Sequence, residues 1–148
     1  MPNYGSLSSA EVYFTERLFS DAWFNATIAE RQAALVQATR IIDTLNNVSE
    51  KSDITQDLQF PRIGDTEVPI DIEMACYEEA INLLDGADPE RNLASLGVTS
   101  DAFSGVRTSF DSSYTPPHIL CGLTSQMAYN FLVPYIRQTG SVRLSRKS

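Results

Sequence analysis

The single histidine, His118, follows Pro116-Pro117 at an expected helix start, with no nucleophile placed for it to activate as a general base. Glu78 and Glu79 are adjacent, and on a helix they diverge by about 100°, so they cannot face each other as an acid/base pair and read as a solvated acidic face. Cys76 and Cys121 lie in different expected helices without C-x-x-C spacing, and read as small buried apolar side chains. The sequence has no H-E-x-x-H, no Cys/His cluster, no EF-hand loop, no Gly-rich phosphate loop and no G-x-S-x-G elbow. Neither an enzyme nor a cofactor is expected; the remaining features are those of an interaction protein.

Those residues sit on four expected helices. Ser8-Ser9-Ala10-Glu11 has capping-box form and opens a first helix running to Leu18 or Phe19. Tyr13, Phe14, Phe19, Trp23 and Phe24 follow closely and read as core packing, because Arg17 alone interrupts them with a positive charge. A second capping box, Thr27-Ile28-Ala29-Glu30, opens the longest helix, with Leu35, Ala38, Ile42 and Leu45 at helical spacing and a stop at Asn46-Asn47. Pro69 opens the third, Asp71 and Glu73 suit its positive end, and Gly86 ends it in a left-handed cap. The fourth starts at Pro116-Pro117, carries Leu120, Leu123, Met127 and Phe131 on one stripe, and is limited by Pro134.

The fold class expected is mainly α: a four-helix core with a short β-hairpin-like insert and an extended C-terminal tail. Residues 1–136 form the domain. The insert, about 92–115, is rich in Ser, Thr, Gly and Asp, and its Leu93, Leu96, Val98, Phe103, Val106 and Phe110 do not recur at helical spacing. The tail, 137–148, holds Arg137, Arg143, Arg146 and Lys147, no acid, and Val142 and Leu144 as its main apolar residues. Such a segment has no core of its own and orders only on a partner.

The 148 residues suffice for one domain that buries roughly two-thirds of its unfolded surface. No apolar run approaches the ~20 residues of a membrane span, and MPNYGSLSS lacks the features of a signal peptide, so synthesis in the cytoplasm is expected. A net charge of −8 opposes generic attraction to a nucleic-acid backbone.

Between the second and third helices stands Gln56-Asp57-Leu58-Gln59-Phe60-Pro61-Arg62, followed by Val68-Pro69 and a helix with small residues at Ala75 and Ala80. This resembles the central signature of small phage head-completion proteins, the head-to-tail adaptor or connector family: Gln-x-Leu-x-(Trp/Phe)-Pro-Arg, a gap, then an Ile/Val-Pro helix entry. Tyr4-Gly5-Ser6, Trp23, the stretch Arg31 to Asp43, and Phe131-Leu132-Val133-Pro134-Tyr135 resemble the family's flanks, so the likeness spans residues 4 to 136. The approach NNVSEKSDIT and the insert depart from it. Related phage sequences also carry a DnaT-like label.

The resemblance implies a structural virion protein at the head-tail interface. Such adaptors form a ring, usually of twelve copies, under the portal protein, extend the DNA channel and receive tail components of nozzle, stopper or tail-tube type. Three sites follow as expectations. Phe60, Pro61 and Arg62 form an elbow or inter-subunit contact, in which Phe60 anchors on the core and Arg62 bridges to a carboxylate. Arg137, Val142, Arg143, Leu144, Arg146 and Lys147 dock into the portal. Thr99, Ser100, Asp101, Ala102 and Phe103 meet the tail. The alternative is a single-stranded-DNA-binding, DnaT-like replication module, which needs basic and aromatic residues on one face.

Overall fold

The computed structural model describes residues 2–45, 47, 49–94 and 116–136. Its helices are α1 (Leu7–Thr15), α2 (Asp21–Phe24), α3 (Ile28–Asp43), α4 (Ile70–Leu84), α5 (described over 89–94), α6 (Pro117–Leu120) and α7 (Gln126–Leu132), closed by a 3-10 turn at Val133–Tyr135.

Helix α4 is the axis of the fold and packs against α3, α7, α2 and α1. Ile72 and every residue from Ala75 to Ile81 are buried, so this helix meets neighbours nearly all round. Leu35, Ala38 and Ile42 of α3, Leu123 before α7, and Ala128 and Leu132 of α7 close around it. Helices α3 and α4 run antiparallel: Ala33, Ala34 and Gln37 share a groove with Leu83, Leu84 and Asp85. Thr27 caps α3 reciprocally with Glu30, and Pro69 precedes α4, as the sequence predicts. Gly86 has φ +98°, which suits a left-handed cap.

Four expectations are corrected. No β-strand occurs among the described residues, so the hairpin-like insert is not part of the fold class, which is helical. The insert's first residues, 92–94, belong to α5, because Asp88 caps the N–H groups of Glu90 and Arg91 (3.0 and 3.4 Å) and Pro89 occupies the first turn. The rest of the insert and residues 137–148 lie outside the described residues. Helix α1 is capped by Ser6 rather than Ser8 and ends at Thr15, after which the chain turns and makes the separate short helix α2.

The fourth expected helix is two. Gly122, with φ +95°, ends α6, and Ser125 caps the Ala128 N–H to start α7 (3.0 Å), which leaves Leu120 62% exposed. Finally, Glu78 and Glu79 are buried, not solvated. Glu79 receives the Thr124 and Ser125 N–H groups (3.0 and 3.1 Å) and the Thr124 hydroxyl (2.8 Å) just ahead of α7. An acidic side chain on an all-buried helix requires such donors, and these also fix where α7 begins.

Candidate functional site

The elbow is organised by an amide. Gln56 Nε2 donates to the Leu58 and Pro61 carbonyls (2.7 and 3.0 Å), while its Oε1 accepts from the Asp53 N–H (3.0 Å). Ser52 N–H reaches the Pro61 carbonyl at 3.0 Å and Ile63 N–H reaches the Glu50 carbonyl at 2.7 Å, around a single antiparallel bridge between Lys51 and Arg62. The Phe60–Pro61 peptide is cis.

Phe60 is the anchor, 2% exposed, with edge-on contacts to Tyr4 (6.1 Å) and Tyr135 (6.0 Å). Its N–H donates to the Tyr4 hydroxyl at 3.1 Å, and that hydroxyl donates to Asp43. Burial holds the Asp43 carboxyl above its ordinary value, against the pull of the Tyr4 hydroxyl; burial and Asp43 together push Tyr4 upward as well. The N-terminal segment is thereby tied to the elbow and to the end of α3. Tyr135 adds a bond to Asp71 at 3.0 Å.

Arg62 departs from its expected role. Its guanidinium donates to the Gln59 carbonyl (3.2 Å) and side-chain oxygen (2.6 Å) and lies 5.8 Å from the Phe60 ring centre; among the described residues it forms no ion pair. Phe60 and Arg62 are both buried within one chain, which leaves exposed neighbours such as Asp57 and Ile63 for contact with another molecule.

A second built region is the corner between α1 and α2. The Arg17 guanidinium forms a two-toothed pair with Glu78 (2.9 and 3.0 Å), and the Tyr13 hydroxyl donates to the same carboxylate. Arg17 also donates to the Leu18 and Phe19 carbonyls, both at 3.0 Å. This holds a loop in which Leu18 is 79% and Phe19 91% exposed, the latter with φ +59°. Phe14 and Trp23 are buried and packed ring to ring at 4.7 Å as expected, but Phe19 and Phe24 are exposed and not core. Nearby, Arg31 pairs with Glu11 (2.7 Å) and donates to the Trp23 and Phe24 carbonyls (2.9 and 3.1 Å).

Burial pushes the Cys76 thiol up to about 12, and Cys121 is half-buried; both are free. His118 is shifted downward by partial burial, offset in part by Gln126. Among the described residues no cluster of His, Cys, Asp or Glu could hold a metal, and no helix is long and apolar enough to cross a membrane.

The charge distribution is lopsided. The chain has 11 Lys and Arg against 19 Asp and Glu, and Arg107, Arg137, Arg143, Arg146 and Lys147 lie outside the described residues, with only Asp101 and Asp111 among the acids. Of the described cations, Arg17, Arg31 and Arg62 are turned inward by the contacts above and Lys51 donates to the Gln56 carbonyl (3.2 Å). The tail set (Arg137 to Lys147) and the insert set (Thr99 to Phe103) therefore fall outside the described residues, and only the elbow set is placed. Gln56 was visible in the sequence as part of the motif, while the Tyr4–Asp43 and Arg17–Glu78 partnerships were not.

The chain matches a family model described as "Putative DnaT-like ssDNA binding protein" over residues 3–147. No curated protein and no solved structure matches it. The chain belongs to that DnaT-like family.

Proposed function

We propose that this member of the DnaT-like family is a non-enzymatic structural protein of a phage virion, a head-to-tail adaptor that assembles as a ring under the portal. The observation that carries the reading is the acidic body, whose described arginines are mostly spent on internal contacts. A channel wall must let DNA slide, and an acidic surface with few free cations repels the backbone rather than gripping it. The elbow motif, shared in resemblance with adaptors, supports the same reading. Its partners would be the portal protein, tail components and further copies of itself. The basic tail would dock on the portal and the insert would face the tail.

The second reading is a single-stranded-DNA-binding replication module, and the family match speaks for it directly. On this chain its cations would come chiefly from the tail, because Arg17, Arg31 and Arg62 are turned inward among the described residues.

Co-sedimentation of the full chain with portal rings, imaged by negative stain, tests the first reading. An added tier of density is expected, and its loss on deleting residues 137–148 would assign the tail. A folded chain that leaves portal rings bare would overturn the reading. Anisotropy with single-stranded DNA at about 50 and 200 mM salt tests the second, which requires binding that weakens steeply with salt.

A further inference from the structure

Phe19 combines three features that do not belong together in a loop of no consequence. It is a bulky aromatic, its side chain is 91% exposed, and its backbone sits at φ +59°, where a side chain of that size is strained. The loop is not slack: Arg17, locked on the buried Glu78, holds the carbonyls of Leu18 and Phe19. A rigid clamp thus presents two apolar side chains to water at the α4 C-terminal end, where Phe19 shares a shallow groove with Ile81, Asn82 and Asp85.

At the other end of the α3–α4 pair lies an open, mainly apolar groove of about 530 Å³. Pro2, Leu58, Thr39, Thr44, Arg40, Asp43 and Asp57 line it. Asp43 is already tied to Tyr4 and Gln59, whereas Arg40 is exposed and has no side-chain partner among the described residues. Asp21, two residues after Phe19, is exposed and equally unpartnered there.

We propose that the Leu18–Phe19 knob of one copy seats in the Pro2–Leu58 groove of a second copy, with Asp21 facing Arg40, so that copies join head to tail. The two patches cannot meet within one molecule, because Glu30 and Thr44, which mark the two ends, are separated along α3 by roughly 20 Å. A contact between two different patches is heterologous and propagates to a ring or an open chain. The groove beside the knob is the poorer receptor for Asp21: Glu30 and Asp85 line it with no cation, whereas Arg40 stands beside Asp43 and Asp57 in the Pro2–Leu58 groove. The inference stands whichever of the two functional readings holds, and its test uses the protein alone, so failure here is separate from failure to bind portal rings.

Sedimentation velocity of the full chain from about 10 to 300 µM should show concentration-dependent association, since one seated aromatic gives a weak contact. Phe19→Asn should weaken association about tenfold or more, while raising Tm by about 2 °C or more, because Asn tolerates the left-handed conformation. Arg40→Asp should weaken it too, and adding Asp21→Arg should restore it. In a Cys121→Ser background, mixed Phe19→Cys and Leu58→Cys chains should form an inter-chain disulfide faster than either alone. A wild-type monomer throughout this range would overturn the proposal. So would a Phe19→Asn chain that associates as tightly or melts lower, or a knob that cross-links to Ala33→Cys in preference to Leu58→Cys.

Discussion

The corner at Arg17 and the elbow at Gln56 both fix a turn of the chain by hydrogen-bonding its carbonyls to a side chain, but they spend the turn in opposite directions. At the corner the donor is a guanidinium neutralised by Glu78 on α4, and the loop's own apolar side chains, Leu18 and Phe19, are left outside. At the elbow the donor is a neutral amide that needs no counter-charge, so the loop folds flat and sends Phe60 inward between Tyr4 and Tyr135. A charged clamp uses core space for its partner and carries a desolvation cost; a neutral clamp leaves that space to an aromatic ring. The elbow is therefore built for stability, and the corner for display.

The sharpest way to break this contrast is to truncate the two phenylalanines. Phe60→Ala empties a buried site and should cost about 3–5 kcal/mol. Phe19→Ala removes a side chain that touches little and should change stability by no more than about 0.5 kcal/mol. Urea midpoints with unchanged m-values would measure both. Equal losses would end the distinction between an anchoring and a displaying loop.

Next in size is the corner clamp itself. Arg17→Met leaves the Glu78 carboxylate, whose side chain is 4% exposed, without its cation, and should cost about 3 kcal/mol, less than full burial would imply because Arg17 is itself 29% exposed. Replacing both partners together, Arg17→Met with Glu78→Gln, should recover part of that loss, since no uncompensated charge remains. Gln56→Ala at the elbow should cost about 1–3 kcal/mol, because the Leu58 and Pro61 carbonyls lose a donor but keep access to other groups; Ser52 still reaches Pro61.

The parts of this arrangement legible in the sequence are those fixed by near neighbours. The Thr27–Glu30 box and Pro69 ahead of α4 each follow from residues a few positions apart, and the inward Phe60 is what the family resemblance implies. What escaped depends on partners far along the chain. Arg17, just past the end of α1, pairs with Glu78, 61 residues on, and the buried Glu79 takes its donors from Thr124 and Ser125, 45 and 46 residues on, just ahead of α7. Adjacent glutamates on a helix look solvated until one knows that the helix is surrounded. The break between α6 and α7 was different: Gly122 and a Thr124-Ser125 cap were in plain view, but a continuous apolar stripe through Leu120 and Met127 outweighed them, and both of those side chains are largely exposed. The Asp88-Pro89 start of α5 was likewise visible, inside a stretch whose composition argued for turns.

The smallest expected effect concerns pH, and it tests the elbow. Asp43, which holds the elbow through Tyr4, has its carboxyl raised by burial. A raised value means that the folded chain binds this proton more tightly than the unfolded chain does. The group's contribution is then fully present below the ordinary carboxyl range and is lost as pH rises through the folded value. Asp43→Asn keeps an acceptor for the Tyr4 hydroxyl but cannot ionise, so it should be no more stable than wild type in acid and should gain on it as pH rises toward neutrality. Urea midpoints for both proteins at pH 4 and pH 7 would read this directly. A wild-type chain that gains on Asp43→Asn over that interval would show that the Tyr4 and Gln59 donors outweigh burial. The elbow would then be a charged clamp like the corner, and charge alone could not explain why one loop turns its aromatic inward and the other turns it out.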